Sequence, residues 1–329
     1  MNPLSIAAFL DGRLGHEKQT RGIIQVLERL TPVSVKELRL SQPPADGLRA
    51  LAADGAALLR LLRPAAQQRH GTDLIIGTGA RTHLPMLAYK RRHGGRVITC
   101  MAPDPLRRPW IDLCLVPMHD KVRPAANVLR TIGPPGTGCN RRAHDPGRGL
   151  LLIGGVDPKS HVWDSAALME QVAALVGGET GLRWTISSSP RTPAEMVTQL
   201  AAFAAGDERT AFFDARETPP GWIEAAYDAH RTVWVTADSV SMVYEALTAG
   251  CRVGVLPVRW KRPQNKFQTG IEYLIRHQGV VTFDMWRRGR RPGTGPQLDE
   301  AHRCAEEILR HWWPNRLDPD TVISRISRD

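Results

Sequence analysis

Between residues 232 and 256 the chain passes from an apolar run, Thr232-Val233-Trp234-Val235, through the turn Thr236-Ala237-Asp238-Ser239 into a segment of helical period. That segment stops at Gly250 and leads to a second apolar run, Val253-Gly254-Val255-Leu256. Strands alternating with helices in this way imply a parallel sheet with helices on both faces. Parallel sheets are covered on both faces, which leaves the loops at the carboxyl ends of the strands as the place for ligands. Asp238, Ser239 and Ser241 fall at the helix start, where unpaired backbone N–H groups and the helix dipole favour an anion such as a phosphate. Glu245 lies one turn beyond Ser241, placed to accept from a ribose or sugar hydroxyl. A plain helix cap with Glu245 in solvent fits the same residues.

The same rhythm runs through the rest of the chain. Residues 6–10 read as a strand ending in the turn Asp11-Gly12-Arg13-Leu14-Gly15, and residues 17–30 as a helix. Strands at 33–38 and 73–77 flank an apolar helix at 47–62. The turn Gly77-Thr78-Gly79-Ala80-Arg81-Thr82-His83 then leads to a helix at 84–92 and to strands at 96–100, 113–116 and 128–132. Residues 133–149, rich in Gly, Pro and charge, read as a linker. Beyond it the pattern restarts with strands at 150–155, 184–188 and 211–213 and helices at 165–176, 194–205 and 222–229. Residues 264–277, 299–312 and 318–325 look helical. The expected class is α/β, with two Rossmann-like doubly wound domains facing across a cleft. The first spans residues 1–133 and the second 150–313, joined by a linker at 134–149, and residues 314–329 pack back on the first.

Forty-four Lys and Arg against 33 Asp and Glu give a net charge of +11, which calls for acidic partners such as nucleotides or an anionic membrane surface. The basic clusters carry no aromatic interleaving, so nucleic acid is not expected. Five cysteines without paired spacing read as reduced core thiols of a cytoplasmic protein. No uncharged run reaches membrane-spanning length, so any membrane contact is peripheral, and the helix at 51–62 with its flanking arginines is one candidate for it. No Walker A run occurs, and Gly77-x-Gly79 lacks the third Gly of a dinucleotide fingerprint. No His spacing suits a metal, and no G-x-S-x-G elbow surrounds Ser187 and Ser188. Tyr89, Tyr227, Tyr244 and Tyr273 have no Lys four residues on, which removes the proton relay of a short-chain epimerase or dehydrogenase.

Five segments taken together resemble the mitochondrial-fission "elongated mitochondria" family: residues 10–20, 75–83, Ile153-Gly154-Gly155, Ser188-Ser189-Pro190-Arg191-Thr192-Pro193 and residues 236–242. Bacterial members of that family carry the label nucleoside-diphosphate-sugar epimerase. Its architecture is similar to that of GT-B glycosyltransferases, among them the peptidoglycan lipid-linked GlcNAc transferase and lipid A disaccharide synthase. The resemblance implies transfer of a sugar from a nucleotide-activated donor, without metal or other cofactor, to a membrane-associated acceptor. Donor residues would be Gly154, Gly155, Ser188, Arg191, Thr236, Asp238, Ser239, Ser241 and Glu245. On the acceptor side would lie Gly15, Gly79, Arg81 and Thr82, with His16 as the general base and Asp11 as its orienter or substitute. Simple capping of the following helix by Asp11 and His16 is the competing reading. The sequence departs from the family at two places: residues 156–164, after the Gly154-Gly155 turn, form a variant and longer connection, and Pro190 replaces the first Arg of Ser-Arg-Arg-Thr-Pro. A further alternative is a non-catalytic GT-B-like adaptor at a membrane surface, as the fission members are: they recruit a dynamin-related protein. The expected location is cytoplasmic and peripheral on the inner face of the membrane.

Overall fold

A computed structural model describes residues 1–40, 71–120, 122–136, 144–263, 266–296 and 298–317. The chain forms two compact units, one of residues 1–137 with 299–329 and the other of residues 138–298. The apolar segment at 47–62 and the last expected helix, at 318–325, lie outside the described residues.

The first unit opens with β1 (Leu4–Leu10), α1 (Leu14–Leu30) and β2 (Val33–Arg39). After residues 41–70 come β3 (Leu74–Thr78), α2 (Ala80–His93), β4 (Arg96–Cys100), β5 (Leu113–Pro117) and β6 (Val128–Thr131). The six strands are all parallel, in the order β2-β1-β3-β4-β5-β6. Successive side chains of β1 alternate between the two faces, as a pleated strand requires. Leu4, Ile6 and Ala8 pack with Ile23, Val26 and Leu27 of α1, whereas Ala7 and Phe9 pack with Met86 of α2.

The second unit contains β7 (Asp145–Leu152), β8 (His161–Val162), α3 (Ser165–Gly178), β9 (Arg183–Ser187), α4 (Ala194–Ala205) and β10 (Thr210–Phe213). It continues through α5 (Trp222–Ala229), β11 (His230–Thr236), α6 (Val240–Thr248) and β12 (Arg252–Leu256). The remaining elements are β13 (Arg259–Trp260), α7 (Lys266–His277), β14 (Val281–Thr282) and α8 (Phe283–Arg287). Its main sheet is again parallel, in the order β10-β9-β7-β11-β12-β14. Leu151, Ile153, Trp184, Ile186 and Trp234 form the core with Val172 and Leu175 of α3 and Met196 and Leu200 of α4.

Three boundaries differ from the sequence expectation. Residues 145–149 belong to β7 and not to a linker, because their backbone joins the ladder despite the polar Asp145-Pro146-Gly147-Arg148-Gly149 sequence. The helix at 299–312 belongs to the first unit: α9 (Glu300–Trp312) buries Ala301, Cys304, Ala305, Ile308 and Leu309 in the core that α1 and β1 share. Its amphipathic pattern carried no sign of which sheet it would cover. Arg316 then bonds the carbonyl of Asn2 and the hydroxyl of Thr31, at 2.9 and 3.1 Å. The ribbon of β8 with β13, antiparallel and only two residues long in each strand, has no counterpart in the sequence reading.

The four described cysteines, Cys100, Cys114, Cys251 and Cys304, are buried and unpaired, and Cys139 lies outside the described residues. Burial pushes the thiols of Cys100, Cys114 and Cys251 up to about 12, which leaves them inert.

His83 on α2 is 1 % exposed and pairs with the hydroxyl of Thr99 at 3.0 Å. Burial, helped by the charge of Arg107, lowers its pKa from 6.5 to about 4. The unfolded chain therefore binds a proton between those values that the folded chain does not. Stability contributed by neutral His83 is complete above pH 6.5 and is lost as the pH falls toward 4, by about 3 kcal/mol in all. His230, buried between Ala226 and Thr185, shifts in the same direction. Thermal melts from pH 7 to pH 4 should show a falling limb that His83→Phe flattens.

Candidate functional site

In a parallel sheet wound outward in two directions, the crevice opens at the carboxyl ends of the two strands where the winding reverses. For the first unit these are β1 and β3, and for the second β7 and β11. The residues singled out from sequence cluster at these two places.

At the first switch point the chain leaves β1 at Asp11 and enters α1 at Leu14, so Gly15 and His16 stand in the first helical turn and not in a loop. The Asp11 side chain is 1 % exposed and that of His16 is 17 % exposed. Asp11 Oδ2 accepts from His16 Nδ1 at 2.8 Å, and Oδ1 accepts from the Arg13 amide at 3.1 Å. A carboxylate can only accept, so the shared hydrogen sits on His16 Nδ1. Neither residue caps α1: Arg13 is the cap and makes no side-chain capping bond.

Gly79 is the reason this pair fits. It stands at φ +92°, between β3 and α2, and a Cβ there would lie 2.5 Å from His16 Nδ1 and 3.3 Å from Asp11 Oδ2. A side chain at 79 would therefore meet both backbone strain and the imidazole. Gly15 is under no such constraint, because a Cβ there meets nothing within 4 Å. Arg81 Nη1 donates to the Asp11 carbonyl at 3.1 Å and so ties the two turns together. Thr82 is fully buried with its hydroxyl on the Gly79 carbonyl at 2.8 Å, which makes it part of the turn and not a ligand contact. A buried pair that the sequence reading missed, Thr20 Oγ1 with Thr78 Oγ1 at 2.8 Å, braces α1 against the end of β3.

At the second switch point Gly154 donates its N–H to Thr236 Oγ1 at 2.7 Å, and Gly155 donates to Asp238 Oδ2 at 3.1 Å. Asp238 Oδ2 also accepts from Ser239 Oγ and from Arg191 Nη2, both at 3.1 Å. The Asp238 side chain is 1 % exposed and that of Arg191 is 47 % exposed. Asp238 Oδ1, buried beside them, has no hydrogen-bond partner. A Cβ on Gly154 would collide with the Asp238 carboxylate and the Ser239 hydroxyl, and one on Gly155 with the backbone of Arg191. The two glycines thus let the turns after β7, β9 and β11 close on one carboxylate.

Gly154, Gly155, Arg191, Thr236, Asp238 and Ser239 come together here as expected, yet several are engaged with one another. Ser188 is drawn away: it is buried, donates to Asp214 Oδ1 at 2.9 Å and accepts from the Ala215 amide at 3.0 Å. Asp214 was not legible as its partner, since it follows a separate strand 26 residues on. Ser239 is the helix cap of α6 but makes no side-chain capping bond, so its hydroxyl serves Asp238 and leaves the first helical turn uncapped. Ser241 is exposed in that turn, and Glu245 is half-buried on the next. Among the described residues no three His, Cys, Asp or Glu side chains are grouped as a metal site.

With this geometry in place, comparison with known proteins assigns the lineage. A family profile described as Mitochondrial fission ELM1 matches residues 14–312. The chain belongs to the mitochondrial fission ELM1 family. No curated protein matches it by sequence. Among solved structures it is similar to a Listeria monocytogenes protein described as a UDP-N-acetylglucosamine 2-epimerase, with TM-score 0.59 and 12% identity over 95% of this chain and 97% of that one. It is also similar to the UDP-GlcNAc 2-epimerase of Methanocaldococcus jannaschii, with TM-score 0.53 and 12% identity over 93% and 99% of the two chains. S. aureus MnaA, solved with UDP, gives 0.51 and 12% over 93% and 96%. At such identities the likeness establishes the fold alone, an α/β architecture with two parallel sheets, as the sequence led one to expect.

Gly79→Ala should separate the Asp11–His16 pair and destabilise the first unit by about 1–3 kcal/mol, through the strained φ and the displaced ring. Gly15→Ala should leave stability within about 0.5 kcal/mol, or raise it slightly. Denaturant titration of the two variants side by side measures the contrast.

Proposed function

We propose that this protein binds a nucleoside-diphosphate sugar at the second unit's switch point and transfers the sugar to an acceptor, with His16 of the first unit as general base. The reading rests chiefly on one coincidence: in both sheets the predicted site residues fall where the winding reverses. Its support from relatives is that structures of the same fold hold UDP or UDP-GlcNAc.

The diphosphate would lie at the uncapped start of α6, stabilised by the first-turn N–H groups. Arg191, half-exposed and held by a single carboxylate, would turn from Asp238 to the phosphates. Glu245 would accept from a ribose or sugar hydroxyl. In the transfer step His16 Nε2 takes the proton of the acceptor hydroxyl as its oxygen attacks the anomeric carbon and the nucleoside diphosphate departs. Asp11 holds the ring in the required tautomer and stabilises the imidazolium that forms. The acceptor would be membrane-associated, in keeping with the net charge of +11.

One observation favours the adaptor alternative. Both glycine amides of the Gly154-Gly155 turn, Ser188 and the guanidinium of Arg191 already have internal partners, so the donor corner is largely self-satisfied. Such a turn would also serve as a fixed structural joint with no ligand at all.

Calorimetry decides between the readings. Titration with UDP, GDP and CMP sugars should find one that binds, and Glu245→Ala should weaken it by about 1–3 kcal/mol. Absence of binding by every nucleotide tried would favour the adaptor. His16→Ala should lower turnover roughly 10²–10⁴-fold while leaving donor affinity unchanged, since base catalysis acts in the transition state. Equal loss of both quantities would make His16 a positioning residue instead.

A further inference from the structure

The connection from β4 to β5 carries no α-helix. Instead residues 101–112 cross one face of the first unit's sheet as Pro103-Asp104-Pro105-Leu106-Arg107-Arg108-Pro109-Trp110, with a single 3-10 turn at Arg108–Trp110. Leu106 is 83% exposed and Trp110 is 69% exposed, although both are large and apolar. Pro105, just before Leu106, and Pro109, just before Trp110, are exposed as well. Two arginines sit inside this apolar bracket, each anchored through one nitrogen to a backbone carbonyl. Arg107 Nη1 reaches Ala80 at 3.4 Å, and Arg108 Nη1 reaches Arg123 at 3.3 Å. Arg123 is itself exposed on the neighbouring β5–β6 connection, which Asn127 fastens to Arg108 and Ile111 at 2.9 and 2.8 Å. Asp104 is the exposed acid of the segment, and its Oδ1 is occupied by the Leu106 amide at 2.8 Å.

We propose that this connection is a docking surface for an anionic phospholipid bilayer, with Leu106 and Trp110 entering the headgroup–acyl boundary and Arg107, Arg108 and Arg123 facing lipid phosphates. Tryptophan is suited to that boundary because its ring is apolar and its N–H remains near water. Basic residues near the surface add attraction to anionic lipid. Prolines and backbone anchors hold the loop in shape, so little ordering is needed on contact. A folded monomer gains nothing from exposing a Leu and a Trp on either side of two arginines, whereas a bilayer matches both the apolar and the cationic elements. The proposal is independent of sugar transfer and holds equally for an adaptor.

Sedimentation of the full-length protein with phosphatidylcholine vesicles, with and without phosphatidylglycerol, tests it. Binding should require the anionic lipid and weaken, without vanishing, at high salt. Leu106→Ala and Trp110→Ala should each lower partitioning about tenfold, and Arg108→Gln with Arg123→Gln should lower it further. Because Leu106 and Trp110 are exposed, these variants should melt like the parent and bind nucleotide as it does. Failure of vesicle binding alone would then leave the nucleotide reading intact. No vesicle binding by the parent would overturn the proposal. So would binding indifferent to Leu106 and Trp110, which would be plain electrostatic adsorption, or a parent dimer that Trp110→Ala dissociates, which would make this face an interface between two copies.

Discussion

The parallel pairing of β7 with β11 governs the chemistry available to the second unit. With Leu152 opposite Val235, both strands end at the same level and the Gly154 amide meets the Thr236 hydroxyl. The next residues then have no freedom to diverge, and Asp238 is carried beneath the glycine turn. Burying a carboxylate there demands donors, which Gly155, Ser239 and Arg191 supply. The first unit repeats the principle with a different outcome. Pairing of Phe9 with Gly77 brings the ends of β1 and β3 level, and the positive φ of Gly79 clears the space into which His16 turns toward Asp11.

Much of this was legible in the sequence because parallel strands buried on both faces must be short, apolar and separated by amphipathic helices. The strand at 96–100 and the helices at 194–205 and 222–229 were read to the residue. What the sequence could not reveal was partnership across long separations. Ser188, at the end of the strand at 184–188, reads as a donor-site residue, yet it turns to Asp214, which follows another strand. The helix at 300–312 is strongly amphipathic, but periodicity says only that one face is buried and not against which core. Polar residues 145–149 were read as linker because composition outweighed strand propensity, while the structure has their backbone paired in the ladder.

Membership of the mitochondrial fission ELM1 family and the pair of parallel α/β units fit two kinds of activity, and the same residues speak to both. In the Asp11–His16 pair a buried carboxylate orients an imidazole, an arrangement that acid–base chemistry uses. The Asp238 cluster, by contrast, is satisfied except at Oδ1 and braces three turns. The Tyr–Lys relay of a short-chain epimerase has no counterpart at Tyr89, Tyr227, Tyr244 or Tyr273. Among the described residues no helix is long and apolar enough to cross a membrane.

Hydrogen exchange with and without UDP-GlcNAc, read by mass spectrometry, tests the central claim most directly. If the second switch point is the donor site, peptides covering residues 153–156, 188–192 and 236–245 gain protection, and those covering β1 and residues 11–16 do not. Protection confined to the first unit, or none at saturating nucleotide sugar, would contradict it.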